Sequence, residues 1–349
     1  MNQICITGGT GFIGRHLTDL LTGASYQVVV VTRNPDRAAA DWQQGSGARA
    51  EKQMRGSGTH QQGDGIGAGR TQSSAGTSQP DDRPVVRFVG YGAPLERAVA
   101  ESDGVINLAG ESLFGKRWTP AVKRRLYNSR IETTRSLTAV MERLPPEDRP
   151  GVFISASAVG FYGEGGANIR TEEDGAGDDF LAHVCRDWEQ ESLVAQNLGI
   201  RVVNPRIGIA LGTAGGALKT MLPAFRGFVG GSLGAGSQYF PWIHVEDLSR
   251  SMLHMLQSQS CEGACNASAP EPVTMDAFVA ALGRVLGRPS VFRIPEWALK
   301  MALGEASGML TTSLRVVPRR LVDDGFRFVW PTVEKALEAL LMDDEKTML

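Results

Sequence analysis

The residues best suited to chemistry stand at the start of the chain, in the run Thr7-Gly8-Gly9-Thr10-Gly11-Phe12-Ile13-Gly14. Gly8, Gly11 and Gly14 have the spacing of a turn that cradles a diphosphate. Gly8 permits the tight turn. Gly11 lacks a Cβ, so a diphosphate can approach its backbone. Gly14 lets a helix pack close to a strand. The context agrees: the apolar run Gln3–Thr7 precedes the turn, and Ile13, Leu17, Leu20 and Leu21 recur after it at helical spacing. A helix beginning there points free N–H groups and its positive dipole end at bound phosphates. Thr10, Phe12 and Ile13 complete this expected cofactor loop.

A second group decides which dinucleotide fits. The four valines Val28–Val31 predict a strand buried on both faces, and that strand ends in Thr32-Arg33-Asn34-Pro35. A carboxylate at this position would hold the ribose 2′-hydroxyl of NAD. The guanidinium of Arg33 instead offers a planar fork for a 2′-phosphate, and Thr32 adds a hydroxyl. The expected cofactor is therefore NADP(H).

The elements that position these groups alternate along the chain. Val85–Val89, Gly104–Leu108, Val152–Ser157 and Ile200–Pro205 read as strands, and Thr119–Leu144 and Phe180–Leu198 as helices. This order predicts an α/β fold, a doubly wound parallel Rossmann sheet over residues 1–211, followed by a smaller mixed C-terminal lobe over 212–341. Residues 43–82 are rich in Gly, Ser, Gln and Thr and hold few large aliphatics, which predicts a disordered surface insertion. The glycine-rich segments Gly212–Gly216 and Gly230–Gly236 are expected at a pocket rim.

The 349 residues are 42% hydrophobic, enough to bury a sizeable core, and carry a formal net charge of −2. That balance lacks the basic field of a nucleic-acid or membrane-surface binder. No apolar stretch is long enough to span a bilayer, and no charged-then-apolar leader opens the chain. Cys261 and Cys265 form the one close pair of thiols, with no second pair to complete a zinc site, so no metal is expected. Sparse cysteines suit a reducing cytoplasm-like compartment, or an organellar stroma or matrix. A small-molecule substrate is expected, with self-association into a homo-oligomer left open.

Longer motifs support a resemblance. They include Asn107-Leu108-Ala109-Gly110-Glu111, Ser129-Arg130-Ile131-Glu132-Thr133-Thr134 and Ser155-Ala156-Ser157-Ala158-Val159-Gly160-Phe161-Tyr162-Gly163. Phe240-Pro241-Trp242-Ile243-His244-Val245-Glu246-Asp247-Leu248 and Val317-Pro318-Arg319-Arg320-Leu321 extend them. Together with the glycine loop, the chain resembles the atypical extended short-chain dehydrogenase/reductases, and within them the YfcH-type epimerase family, whose own small C-terminal domain matches about residues 288–341. The resemblance covers the chain except 43–82. It implies that Leu108 and Ala109 lie beside the adenosine and its ribose, that Arg130 reaches toward the cofactor or a substrate carboxylate, and that Ala210 lines the nicotinamide side. A nucleotide-sugar substrate is implied by superfamily analogy alone.

Dehydrogenases of that superfamily pair a tyrosine with a lysine four residues later. The matching helix here puts Leu181 and Cys185 at those places, and no Tyr-x-x-x-Lys occurs in it. Three residues remain as catalytic candidates. Ser157 ends the fifth strand, Tyr162 follows it one residue further than the family's spacing, and His183 lies on the helix itself. Each also has a structural alternative: a cap, a packed ring, a solvated side chain. His244 and Asp247 are expected to fix a loop to a helix start. Two functions stay open: an NADP(H)-dependent oxidoreductase or epimerase-like enzyme, or an NADP(H)-binding regulator without turnover. Some members of the branch are described as cell-division-inhibitor-like.

Overall fold

The computed structural model describes residues 2–44, 86–113 and 117–348. The segment read as an insertion, 43–82, falls outside the described residues from 45 onward; its first two residues end a helix, α2 (35–44). The strands β1 (Gln3–Thr7), β2 (Gln27–Val31), β3 (Val86–Val89), β4 (Gly104–Asn107), β5 (Val152–Ser155), β6 (Arg201–Ile207) and β9 (Gly263–Ala267) make the main sheet, joined by the short strand Ser157–Ala158, which pairs with the end of β6. Their order is β9-β6-β5-β4-β1-β2-β3, and every pair along it is parallel. The order reverses at β1, so the crevice between the C-terminal ends of β1 and β4 is where a doubly wound sheet receives a ligand.

Alternation along the strands builds the two faces. Ile4, Ile6, Val28, Val30, Ile106 and Ile154 point to one side, where helices α1 (Phe12–Gly23) and α7 (Val245–Gln257) cover them with Leu17, Leu21, Met252 and Met255. Cys5, Val29, Val31, Val105 and Phe153 point to the other, against Leu137 and Met141 of α4 (Pro120–Arg143) and Leu95 of α3 (Ala93–Ala100). A strand covered on both faces needs no polar positions, which explains the unbroken valine run of β2. Thr119 caps α4 by accepting the Val122 N–H, and Asp179 caps α5 (Phe180–Leu193) by accepting that of Ala182.

The chain does not leave the sheet for good after residue 211. Strand β7 (Ile209–Leu211) pairs with β8 (Trp242–His244), and α7 and β9 return to the main layers. Helices α6 (Gly216–Arg226), α8 (Met275–Leu286), α9 (Glu296–Leu303) and α10 (Val333–Met348) serve the smaller lobe. There α8 packs on α10 around Phe240, Phe278, Leu282 and Leu337.

The His244–Asp247 segment joins the two lobes. His244 Nδ1 accepts the Glu246 N–H at 3.1 Å and so caps α7. Asp247 accepts the N–H groups of Val329 (3.0 Å) and Trp330 (2.9 Å), and Trp330 stacks on the His244 ring with centroids 3.8 Å apart. Burial, reinforced by nearby His16, holds His244 neutral and pushes its pKa from the ordinary 6.5 down to about 4. The unfolded chain therefore binds a proton between these values that the folded chain refuses. This site's stabilisation is full above about pH 6.5 and is lost as pH falls to about 4. The effect is expected to reach up to about 3 kcal/mol. Urea unfolding of wild type and His244→Asn across this range checks it, the variant having the shallower pH dependence.

Candidate functional site

Gly8 takes a left-handed conformation (φ 74°), and a Cβ there would lie 2.6 Å from the Leu108 carbonyl. At Gly14 a Cβ would meet the Gly8 carbonyl oxygen at 2.4 Å. Both glycines are thus required by the closeness of β1, α1 and the end of β4. Gly11 differs: a Cβ there would touch only the Gly8 oxygen, at 3.2 Å, so its far side is open. Gly11 is also the N-cap of α1, with no side-chain cap and no acidic residue in the first turn. The first amides of a twelve-residue helix thus face a cavity without a protein anion to satisfy them.

That cavity, about 1100 Å³, runs from the glycine turn across the ends of β4, β5 and β7 to the C-terminal lobe. Its wall includes Gly8, Gly11, Phe12, Ile13 and Gly14, then Leu108 and Arg130, then Ser157 and Ala210. Thr10, Thr32, Arg33 and Ala109 lie outside its lining. Arg33 is exposed just past β2, close enough to Tyr91 for its charge to oppose the rise that burial causes in the phenol pKa. The Ala109 N–H donates to Asn107 Oδ1 at 3.2 Å. Of the expected rim, Gly216 reaches the cavity, whereas Gly230–Gly236 does not; the pairing of Gly231–Leu233 with Phe292–Ile294 draws that segment away. Gln238–Pro241 line it instead.

The three catalytic candidates are not brought together on one surface. Ser157 is buried at the cavity wall, and its hydroxyl donates to Glu189 Oε1 at 2.6 Å. Tyr162 lies outside the cavity lining. Its OH donates to Asn266 Oδ1 (2.6 Å) and accepts from Arg206 Nη1 (2.9 Å), and burial pushes its pKa up to about 12. His183 is exposed on the outer face of α5. Leu181 and Cys185 do line the cavity, at the places where the family's acid–base pair would stand. Burial pushes the Cys185 thiol up to about 12, so it stays protonated.

Behind Ser157 lies a network that the sequence did not reveal. Arg206 grips Glu189 bidentately, Nε to Oε1 and Nη2 to Oε2, both at 2.9 Å. Its guanidinium also covers the Phe161 ring, 3.4 Å from the centroid. The available signal was Arg206 inside an apolar-rich strand; Glu189 lies among several charged residues of α5 and carried no signal of its own. A second network fixes the cavity floor. Thr7 donates to Asn107, Asn107 to Thr134, and Trp188 Nε1 to the same Thr134 oxygen at 2.9 Å. The ends of β1 and β4 are thereby tied to α4 and α5.

Residues 4–266 match the NAD dependent epimerase/dehydratase family, and residues 294–340 match a domain of unknown function, DUF1731. The chain is 35% identical to the chloroplastic epimerase family protein SDR39U1 homolog of Arabidopsis thaliana, over 97% of this chain and 86% of that protein. It is 33% identical to the epimerase family protein YfhF of Bacillus subtilis, over 98% of each. The crystal structure of human epimerase family protein SDR39U1 with NADPH superposes with a TM-score of 0.77 at 26% identity, covering 98% of this chain and 99% of that one. The expected family and its small C-terminal domain are both confirmed, as is the doubly wound fold.

Breaking the Glu189–Arg206 pair strands a buried charge. Arg206→Met is expected to cost about 3–5 kcal/mol, and the double variant Glu189→Gln/Arg206→Met clearly less than the sum of the two single changes. Urea unfolding of the four proteins measures both.

Proposed function

The chain belongs to the NAD dependent epimerase/dehydratase family, and from that premise we propose that it is an NADP(H)-dependent oxidoreductase or epimerase-like enzyme acting on a small molecule. One observation carries the reading: the uncapped start of α1, with Gly11 open beside it, faces a cavity that continues past Ser157 into an apolar chamber. The residues present fit the dinucleotide. In this reading Gly11, whose own N–H is taken by the Gly8 carbonyl, leaves room for the diphosphate, and the amides of Phe12, Ile13 and Gly14, with Thr10, hold it. Thr32 and Arg33 take the 2′-phosphate, Leu108 and Ala109 flank the adenosine ribose, and Ala210 borders the nicotinamide. NADPH in the human relative supports this assignment. When bound, the nicotinamide supplies or accepts a hydride.

Ser157 is the hydroxyl assigned to the reacting atoms. Its single proton is committed to Glu189, whose carboxylate Arg206 holds in place, and the Cys185 thiol is a further neighbour of its oxygen, so what it can offer the cavity is a lone pair. A substrate hydroxyl can therefore donate to it. The chloroplastic Arabidopsis relative supports the organellar alternative of the expected reducing compartment. No helix among the described residues is long and apolar enough to cross a membrane.

The second reading, an NADP(H)-binding regulator without turnover, draws on one feature. Tyr162 is locked between Arg206 and Asn266, and Leu181 and Cys185 cannot replace the missing acid–base pair. Single-turnover oxidation of bound NADPH against a broad carbonyl panel separates the two. The enzyme reading expects turnover that Ser157→Ala lowers by roughly a hundredfold; binding without any turnover favours the regulator.

Calorimetric titration tests the cofactor itself. NADPH is expected to bind at least about tenfold tighter than NADH, and Arg33→Ala to remove most of that preference while sparing NADH. Gly11→Val is expected to abolish binding of both. Equal or tighter NADH binding by wild type rejects the assignment.

A further inference from the structure

The far half of the cavity has a chemistry of its own. Trp118, Leu126, Phe180, Val184, Met309 and Leu310 form much of its wall, with Trp118 and Phe180 in an edge-to-face pair 5.6 Å apart. Four cations reach the lining among the described residues. Lys123 pairs with Glu305 and lies over the Phe180 ring, 4.9 Å from its centroid. Lys300 pairs with Glu296 at 3.4 Å, and Lys219 donates to the Ala214 carbonyl at 3.3 Å.

Arg130 is held differently. Its Nη1 donates to the Leu126 carbonyl (2.9 Å) and its Nη2 to that of Glu111 (3.1 Å), with a longer approach to Ser129 Oγ at 3.5 Å. Its guanidinium lies 5.3 Å from the centroid of the Trp188 ring. Gly110 makes room for it, since a Cβ there would stand 3.1 Å from Cζ. Among the described residues no carboxylate lies within ion-pairing distance of Arg130. A guanidinium has five N–H groups, and two carbonyls leave others to donate into the cavity. Burial depresses the Arg130 pKa, and the attraction of the nearby Glu111 carboxylate, which is itself ion-paired to Arg125, only partly opposes it.

Lys219 also has only a carbonyl partner, but it is exposed at the cavity rim, whereas Arg130 is drawn into the wall. One inward cation in an aromatic and aliphatic chamber matches one negative charge. A nucleotide sugar would bring a diphosphate and a polar base and sugar, for which the two ion-paired lysines provide poor seats. We propose that the substrate is a compact, largely apolar molecule bearing a single carboxylate or equivalent monoanion that pairs with Arg130, and not a nucleotide sugar. This rests on the NADP(H) reading, because it assigns the glycine half of the cavity to the cofactor.

Wild-type protein loaded with NADP+ is titrated with aromatic and short-chain aliphatic carboxylates, the methyl ester of each, and UDP-glucose, reading tryptophan fluorescence and heat. At least one acid is expected to bind about tenfold or more tightly than its ester and more tightly than UDP-glucose. Arg130→Gln is expected to erase the acid–ester difference and leave the NADPH Kd unchanged, while Arg130→Lys retains part of the difference. The Tm of each variant confirms folding. The proposal is overturned if every acid binds no better than its ester, if UDP-glucose binds best, or if Arg130→Gln weakens NADPH instead. Failure of wild type to bind NADPH at all is a separate result and rejects the cofactor assignment.

Discussion

The site depends on how closely three backbone segments approach one another at the switch point of the sheet. Gly8 abuts the carbonyl of Leu108, and Gly14 abuts the carbonyl of Gly8. Side chains at either position would push β1, α1 and β4 apart. Their absence brings the start of α1 to the sheet edge with its first amides uncapped. Those amides would be an unfavourable feature in a buried setting without a partner. Facing a cavity, they form a fixed field for an anion, already oriented before any ligand arrives.

The polar groups beneath this edge preserve the arrangement. The Thr7–Asn107–Thr134–Trp188 chain of hydrogen bonds crosses from the central strands to α4 and α5. The Glu189–Arg206 pair does the same between α5 and β6, and it also decides which way the Ser157 proton points. Buried ion pairs add little net stability, because the cost of desolvation offsets the attraction. Their effect here is directional: a hydroxyl whose proton is taken from behind offers only acceptance in front. The same guanidinium holds Tyr162 away from the cavity, so one residue both exposes one candidate and withdraws another.

The C-terminal lobe is coupled to the sheet domain at several places, among them the pairing of Arg315–Val316 with Ile169–Arg170, Ser313 on Glu164, and two contacts of contrasting exposure. Asp247, at the start of α7, receives two amides of the 329–330 segment, and Glu305 reaches Lys123 across the cavity mouth. The first contact is buried and the second partly exposed, so the Asp247 contact is the less screened of the two.

Periodicity and local chemistry wrote the scaffold into the sequence. The valine run of β2, the helical spacing after Gly14 and the strand–helix rhythm fix the parallel sheet, since each reflects burial or backbone sterics over a few neighbours. The glycine turn was legible for the same reason, and so was the capping part of His244. Acid–base chemistry was not. Whether Ser157 or Tyr162 faces a cavity depends on Glu189, Arg206 and Asn266, which lie 32, 44 and 104 positions from the groups they bond and meet them only when the sheet closes. The family resemblance already pointed Arg130 toward the cofactor or a substrate carboxylate; that it has no ion-paired carboxylate follows only from Gly110, Leu126 and Trp188 being packed around it. Local spacing determines where the backbone turns, whereas the partner that takes a proton or leaves a charge unmatched is set by contacts between distant segments.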